Sequence, residues 1–238
     1  MADKFMQTVL TPAVLEAEKH YYGRTYPSFA DAPETDALRD QEIEFIETRD
    51  SFYMATITEN DWPYVQHRGG PHGFVRVLGP QQIGFADYGG NRQMISVGSL
   101  SKQDRVALFM MDYPQRERVK ILGHAKVFDA REHPELVGKV LPPGGHGAKV
   151  ERVFIIDILS YDWNCPKFIT RRNTANVVSH KKLRRLYRAL PSGLLSRWAI
   201  SSRNPSYSSR TTRRGRCSAR CALFKQRAAS GQPSHESH

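Results

Sequence analysis

Cysteine is scarce in this chain: Cys165, Cys217 and Cys221 are the only three among 238 residues. So few thiols build no disulfide framework, which excludes a small cross-linked secreted scaffold and suits a reducing compartment. No apolar run approaches the ~20 residues that a membrane-spanning helix needs, and the opening MADKFMQTVL lacks the apolar core of a signal peptide. A cytoplasmic location is therefore expected. His67, His72, His124, His133 and His146 show no metal-ligand spacing, and Cys217-x-x-x-Cys221 with His235 and His238 fits no firm zinc pattern. No metal is expected. Gly69-Gly70 and Gly89-Gly90 lack the spacing of a Walker or Rossmann loop, and no Ser/His/Asp nucleophile motif is present.

Acidic residues are missing from one end. From residue 173 onward the chain carries 14 Lys and Arg against a single acid, Glu236; of the totals of 35 and 24 this leaves 21 bases and 23 acids before it. The net charge of +11 therefore belongs to the tail, and the near-neutral body gives no electrostatic reason to bind nucleic acid. A segment so rich in Ser, Arg and Thr cannot easily bury a core, so residues 173–238 are expected to be a disordered basic tail. An altered reading frame or other divergence near Arg172 accounts for the change of composition; an arm for nucleic acid or an acidic membrane is the alternative.

Before the tail, the hydrophobic share of 39% over the whole chain is enough for a core. Thr11 with Pro12 at the first helical position opens a helix to Tyr22, ended by Gly23. Asp36 is expected to cap a second helix whose Ile43 and Ile46 face inward. Both helices are expected to cover the body or a neighbouring copy. Phe52 to Thr58 alternates and turns at Glu59-Asn60-Asp61 into a second strand, a hairpin pattern. Val106 to Met111 is nearly continuously apolar, which predicts a strand covered on both faces. Val119 to Phe128 alternates again, His133 to Val140 reads as a short helix, and Arg152 to Leu159 as the last strand. About six strands with few helices between them predict a mainly β, antiparallel barrel, with residues 1–50 an N-terminal helical segment and 51–172 the barrel domain.

The organising stretch runs from Trp62 to Arg92. Tyr64, Val65, Gln66, His67 and Arg68 form a β-prone run in which alternate side chains face opposite sides. Phe74 to Leu78 and Gln81 to Ala86 pair across Gly79-Pro80. Asp87 to Arg92 then turns the chain into a helix from Gln93 to Val97, with Asn91 as its N-cap. Helix amides and the Arg92 guanidinium beside the Gln66 to Arg68 strand would make a place for a phosphate.

The segments PYVQHRGGP, GFAD followed by GGNR, DRVALFMMDYP and RVKILGHAKV resemble the pyridoxamine 5'-phosphate oxidase-like flavoproteins, over roughly Phe45 to Thr170. That family is built on a split β-barrel, binds FMN and generally forms homodimers with the flavin in the shared groove. The resemblance implies an FMN-dependent oxidoreductase in which the flavin passes a hydride or electrons to and from a small molecule. It places Arg68 and Arg92 at the cofactor phosphate; Gln66 and His67 neighbour the same site, and Asn91 and Gln93 stand at the helix start whose backbone N–H groups would point at the anion. Arg118 stands where the family favours Gln near the flavin, with Lys120 on the same strand face, and Trp163 matches an aromatic that reaches the cofactor across the dimer. The family oxidase's Arg-rich C-terminal substrate segment has no counterpart here, so efficient oxidation of pyridoxamine 5'-phosphate is not expected. A non-catalytic flavin or haem binder, or a nucleic-acid binder acting through the tail, are the alternatives.

Overall fold

Period-two alternation dominates the middle of the chain, and strands follow from it. The computed structural model describes residues 3–173 apart from 91, 143, 146 and 165. The expectations for the basic tail, including nucleic-acid binding through it, lie outside the described residues, as does Cys165. Helices α1 (Asp3–Val9), α2 (Pro12–Tyr22) and α3 (Asp40–Glu47) precede strands β1 (Ser51–Ile57), β2 (Pro63–Gly69), β3 (Val75–Gly79) and β4 (Gln82–Tyr88). Helix α4 (Ile95–Leu100), β5 (Arg105–Asp112), β6 (Glu117–Asp129), α5 (Pro134–Val140) and β7 (Val150–Trp163) complete the order. None of these helices is long and apolar enough to cross a membrane.

All strand pairs are antiparallel, in one seven-stranded sheet ordered β2-β1-β5-β6-β7-β4-β3. The sheet curls without hydrogen-bonding its two edges, β2 and β3, to each other: it is a split barrel, mainly β. Its inner face buries Phe52, Met54, Phe85, Leu108, Met110, Ile121 and Phe154. The aromatic rings interlock, with Phe85 stacked on Phe154 at 4.8 Å and edge-on to Phe52 at 5.3 Å. Gly123 sits at the irregularity between β6 and β7. A side chain there would come within 2.5 Å of the Asp157 carbonyl oxygen, so only glycine lets the two long strands stay paired.

The helix α2 starts and stops at the residues predicted, with Pro12 first and Gly23 in the left-handed region at φ 68°. It buries none of its residues, however, so it does not cover the barrel. Helix α1, which carries no strong sequence signal, buries Phe5 and Met6 and packs on β7.

Asp36 is not the cap of α3, which begins four residues later. Its buried carboxylate instead receives the backbone N–H groups of Tyr161, Lys4 and Phe5, and so ties the start of α1 to β7. Glu42 closes α3 by accepting the Arg39 N–H at 3.0 Å, and its other oxygen accepts the Trp163 indole N–H at 2.6 Å. A second correction concerns β5. Val106, Leu108 and Met110 are buried, but Ala107 and Phe109 on the other face are only half-buried, because no part of the described residues covers that side fully.

Between α3 and β7 the Tyr161 phenol is pushed up to about 12, first by burial and then by the Glu42 carboxylate. A folded-state value above the unfolded one stabilises the fold below pH ~10 and loses that stabilisation as pH rises toward 12. Tyr161→Phe is expected to flatten the decline in stability between pH 10 and 12 in denaturant titrations. At neutral pH it should cost about 1 kcal/mol, for the hydrogen bond to the Ala37 carbonyl.

Candidate functional site

Strand β2 alternates half-buried Tyr64, Gln66 and Arg68 with exposed Val65 and His67. Its polar side chains therefore divide: Gln66 and Arg68 face inward, while the His67 ring lies edge-on to Tyr53 at 5.6 Å on the outer side. The inward pair opens onto a cavity of about 260 Å3 between β2, β4, β7 and the segment entering α4. Phe74 and Phe85 form part of its wall, and Arg68, Asp87, Arg92 and Arg152 bring charge to it.

The charges are held in a defined order. Arg68 Nη1 donates to Asp87 Oδ1 at 2.9 Å, and Arg152 Nε donates to Asp87 Oδ2 at 2.7 Å. Asp87 and Arg152 are direct cross-strand neighbours on β4 and β7, whereas Arg68 comes from the far edge of the sheet. The Arg68 guanidinium lies 4.9 Å from the centre of the Phe154 ring, a cation–π contact. Burial lowers the Arg68 pKa from its usual value and the Asp87 carboxylate opposes that shift; an arginine stays charged in either case. Its Nε is buried without a hydrogen-bond partner.

The segment entering α4 departs from expectation. The helix begins at Ile95, not Gln93, because Arg92 at φ 60° and Met94 at φ 56° take left-handed conformations that no helix continues through. Asn91 lies outside the described residues. Ser96, buried in the first turn, donates its hydroxyl to Gln66 Oε1 at 3.1 Å and fixes that amide. Arg92 is exposed and makes no ion pair or hydrogen bond among the described residues.

Of the residues singled out in the sequence, Gln66, Arg68, Arg92 and Gln93 line this one cavity, and His67 borders it although its ring lies on the outer side. Arg118 and Trp163 do not. Arg118 lies on the outward face of β6, 6.0 Å from the Phe109 ring centre, with its Nε buried and unpartnered. Trp163 is engaged with Glu42 and packs edge-on to Phe45 at 4.9 Å. Sequence reasoning missed Asp87 and Arg152, whose pairing appears only once β4 and β7 are neighbours.

The profile described as pyridoxamine 5'-phosphate oxidase matches residues 38–159, half of the chain. The chain belongs to the pyridoxamine 5'-phosphate oxidase family. The match contains the whole cavity and stops short of Trp163. Among solved structures, a putative pyridoxamine 5'-phosphate oxidase from Lactobacillus delbrueckii is 20% identical, covering 54% of this chain and 95% of that one, with a TM-score of 0.40. HupZ of Group A Streptococcus is 12% identical, covering 58% and 100%, with a TM-score of 0.41. An FMN-binding protein from Syntrophomonas wolfei is 11% identical, covering 53% and 88%, with a TM-score of 0.37. No curated protein matches the chain.

In this oxidase-family chain Asp87 is the counter-ion of two guanidiniums whose side chains, like its own, are largely buried. Removing one partner of such a group leaves charge uncompensated in a poorly solvated place. Asp87→Ala is expected to destabilise the fold by roughly 3 kcal/mol in urea unfolding. An effect below ~1 kcal/mol would mean that the pair is a solvated surface contact.

Proposed function

We propose that this chain binds FMN at the cavity beside Arg68 and Arg92 and serves as a flavin-dependent oxidoreductase for a small molecule. The observation that carries the reading is the convergence of guanidiniums from β2, β7 and the segment before α4 on one partly apolar cavity, in a chain of this family. Planar guanidiniums recognise phosphate through paired N–H donors. Those of Arg68 are only partly used by Asp87, and Arg92 is unpaired among the described residues. Gln66, held by Ser96, and Gln93 supply amide groups for the polar chain of the cofactor, and Phe74 and Phe85 supply apolar wall. These residues fit a ligand with an anionic end and a flat, less polar body. Bound FMN would contribute hydride and single-electron exchange, while the chain contributes placement and tuning.

A volume of about 260 Å3 lies below the ~300–1,000 Å3 usual for a ligand site. One chain thus encloses only part of the cofactor, which favours a paired form. The outward face of β1, β2 and β5 is apolar where it is least covered: Tyr53 is 42% and Val65 60% exposed, beside Ala55, Ala107 and Phe109. In the proposed homodimer this face meets a second copy, and Arg118 and Trp163 enter the flavin site only through that pairing. Pyridoxamine 5'-phosphate is not the proposed substrate; conversion of it to pyridoxal phosphate at enzymatic rates would contradict this.

The deciding experiment is the absorption spectrum of the protein as isolated, with mass identification of what denaturation releases: a flavin band and the mass of FMN are expected. A colourless protein that takes up no added FMN would sink the reading. Arg92→Ala is expected to weaken FMN binding roughly 10- to 100-fold, one charge-assisted hydrogen bond's worth, with the melting temperature unchanged. Val65→Glu places a charge on the proposed contact and should shift the mass measured by light scattering from two chains to one. A single-chain mass for the unaltered protein would remove the pairing.

A further inference from the structure

Arg152 has no place in the sequence-derived cofactor set, yet it lines the same cavity as Arg68 and Arg92. Its Nε is spent on Asp87 at 2.7 Å and its Nη2 lies 3.2 Å from Glu151, which does not line the cavity. Its Nη1 has no partner among the described residues. The side chain is 19% exposed, so the charge is fixed in place and not free to sweep through solvent.

Charge balance gives this position a purpose. Asp87 is the single carboxylate among the lining residues and stands against three guanidiniums; with Glu151 on Arg152 from outside the cavity, the cluster keeps an excess of about one positive charge. A phosphate monoester near neutral pH carries roughly −1.5 to −2. For closing the barrel alone, the Arg68–Asp87 contact would suffice, since it already joins the β2 edge to β4. The second guanidinium on the same carboxylate adds no further link between the sheet edges, because β4 and β7 are already hydrogen-bonded neighbours.

We infer that Arg152 is a third cation of the phosphate-monoester site, braced by Asp87, and that it makes the site select FMN over the unphosphorylated flavin. The inference rests on the flavin reading above and adds to it a residue from β7. Asp87 acts as a positioning residue, holding two guanidiniums whose remaining donors stay available to the anion.

The test compares FMN with riboflavin, which shares the ring and ribityl chain and lacks the phosphate, by quenching of flavin fluorescence on the full chain. The unaltered protein should prefer FMN. Arg152→Gln leaves Asp87 paired with Arg68 and should lower FMN affinity roughly tenfold or more, with riboflavin affinity within about twofold. A purely structural role would weaken both flavins together. If Arg152→Gln does not fold, Arg152→Lys carries the test: it keeps the charge without the planar fork and should cut the preference for FMN roughly threefold. An unchanged FMN-to-riboflavin ratio in whichever variant folds overturns the role of Arg152 while leaving the flavin reading intact. Failure of the unaltered protein to bind either flavin overturns both.

Discussion

Two ends of one sheet are held together through a carboxylate. Arg68 on the edge strand β2 reaches Asp87 on β4, the second strand from the other edge, and β4 carries Arg152 beside it through β7. An open sheet has two unpaired edges, and a barrel that does not close by hydrogen bonds must be kept curled by side chains. Here the aromatic interior of Phe52, Phe85 and Phe154 fills the curl, and the Arg68–Asp87 contact spans the gap. The guanidinium is tolerated there because its flat face rests on Phe154 and its charge is matched. The same arrangement that holds the split leaves basic groups gathered at its mouth.

Strand alternation then sorts the chain into two surfaces with different uses. Inward positions of β1 and β5 build the core, while outward Tyr53, Ala55, Ala107 and Phe109 form an apolar face that the described residues cover incompletely. The nearly unbroken apolar run of β5 reads as a doubly covered strand, and among the described residues its second cover is incomplete. Sequence hydrophobicity reports what a residue is suited to touch, without saying whether the contact lies in the same chain.

Much of the fold was legible because its signals are local. Pro12 and Gly23 bound α2, and the Glu59 to Asp61 turn joins β1 to β2, since these depend on backbone conformation over a few residues. The placement of Gln66 and Arg68 on one face followed from alternation alone, and the same alternation puts the ring of His67 on the other face. The start of α4 is not legible, because the left-handed backbone at Arg92 and Met94 that delays it leaves no mark in residue type. Asp36 looked like a helix cap and serves as one for α1, 33 residues earlier in sequence than itself at Asp3, because β7 brings Tyr161 to the same carboxylate.

The contacts that escaped the sequence have a common cause. Asp87 and Arg152 are separated by 65 positions, Glu42 and Trp163 by 121. Each becomes a neighbour only because β7 returns through the middle of the sheet, with β6 on one side and β4 on the other. That strand joins both halves of the architecture. Its beginning presents Arg152 to the cavity, its centre supplies Phe154 beneath Arg68, and its end fixes α3 through Trp163. A change in β7 that altered its register by one residue would turn Arg152 and Phe154 to the opposite face. The charged mouth and the aromatic floor would be lost together, so the geometry of the candidate site and the stability of the barrel rest on the same strand register.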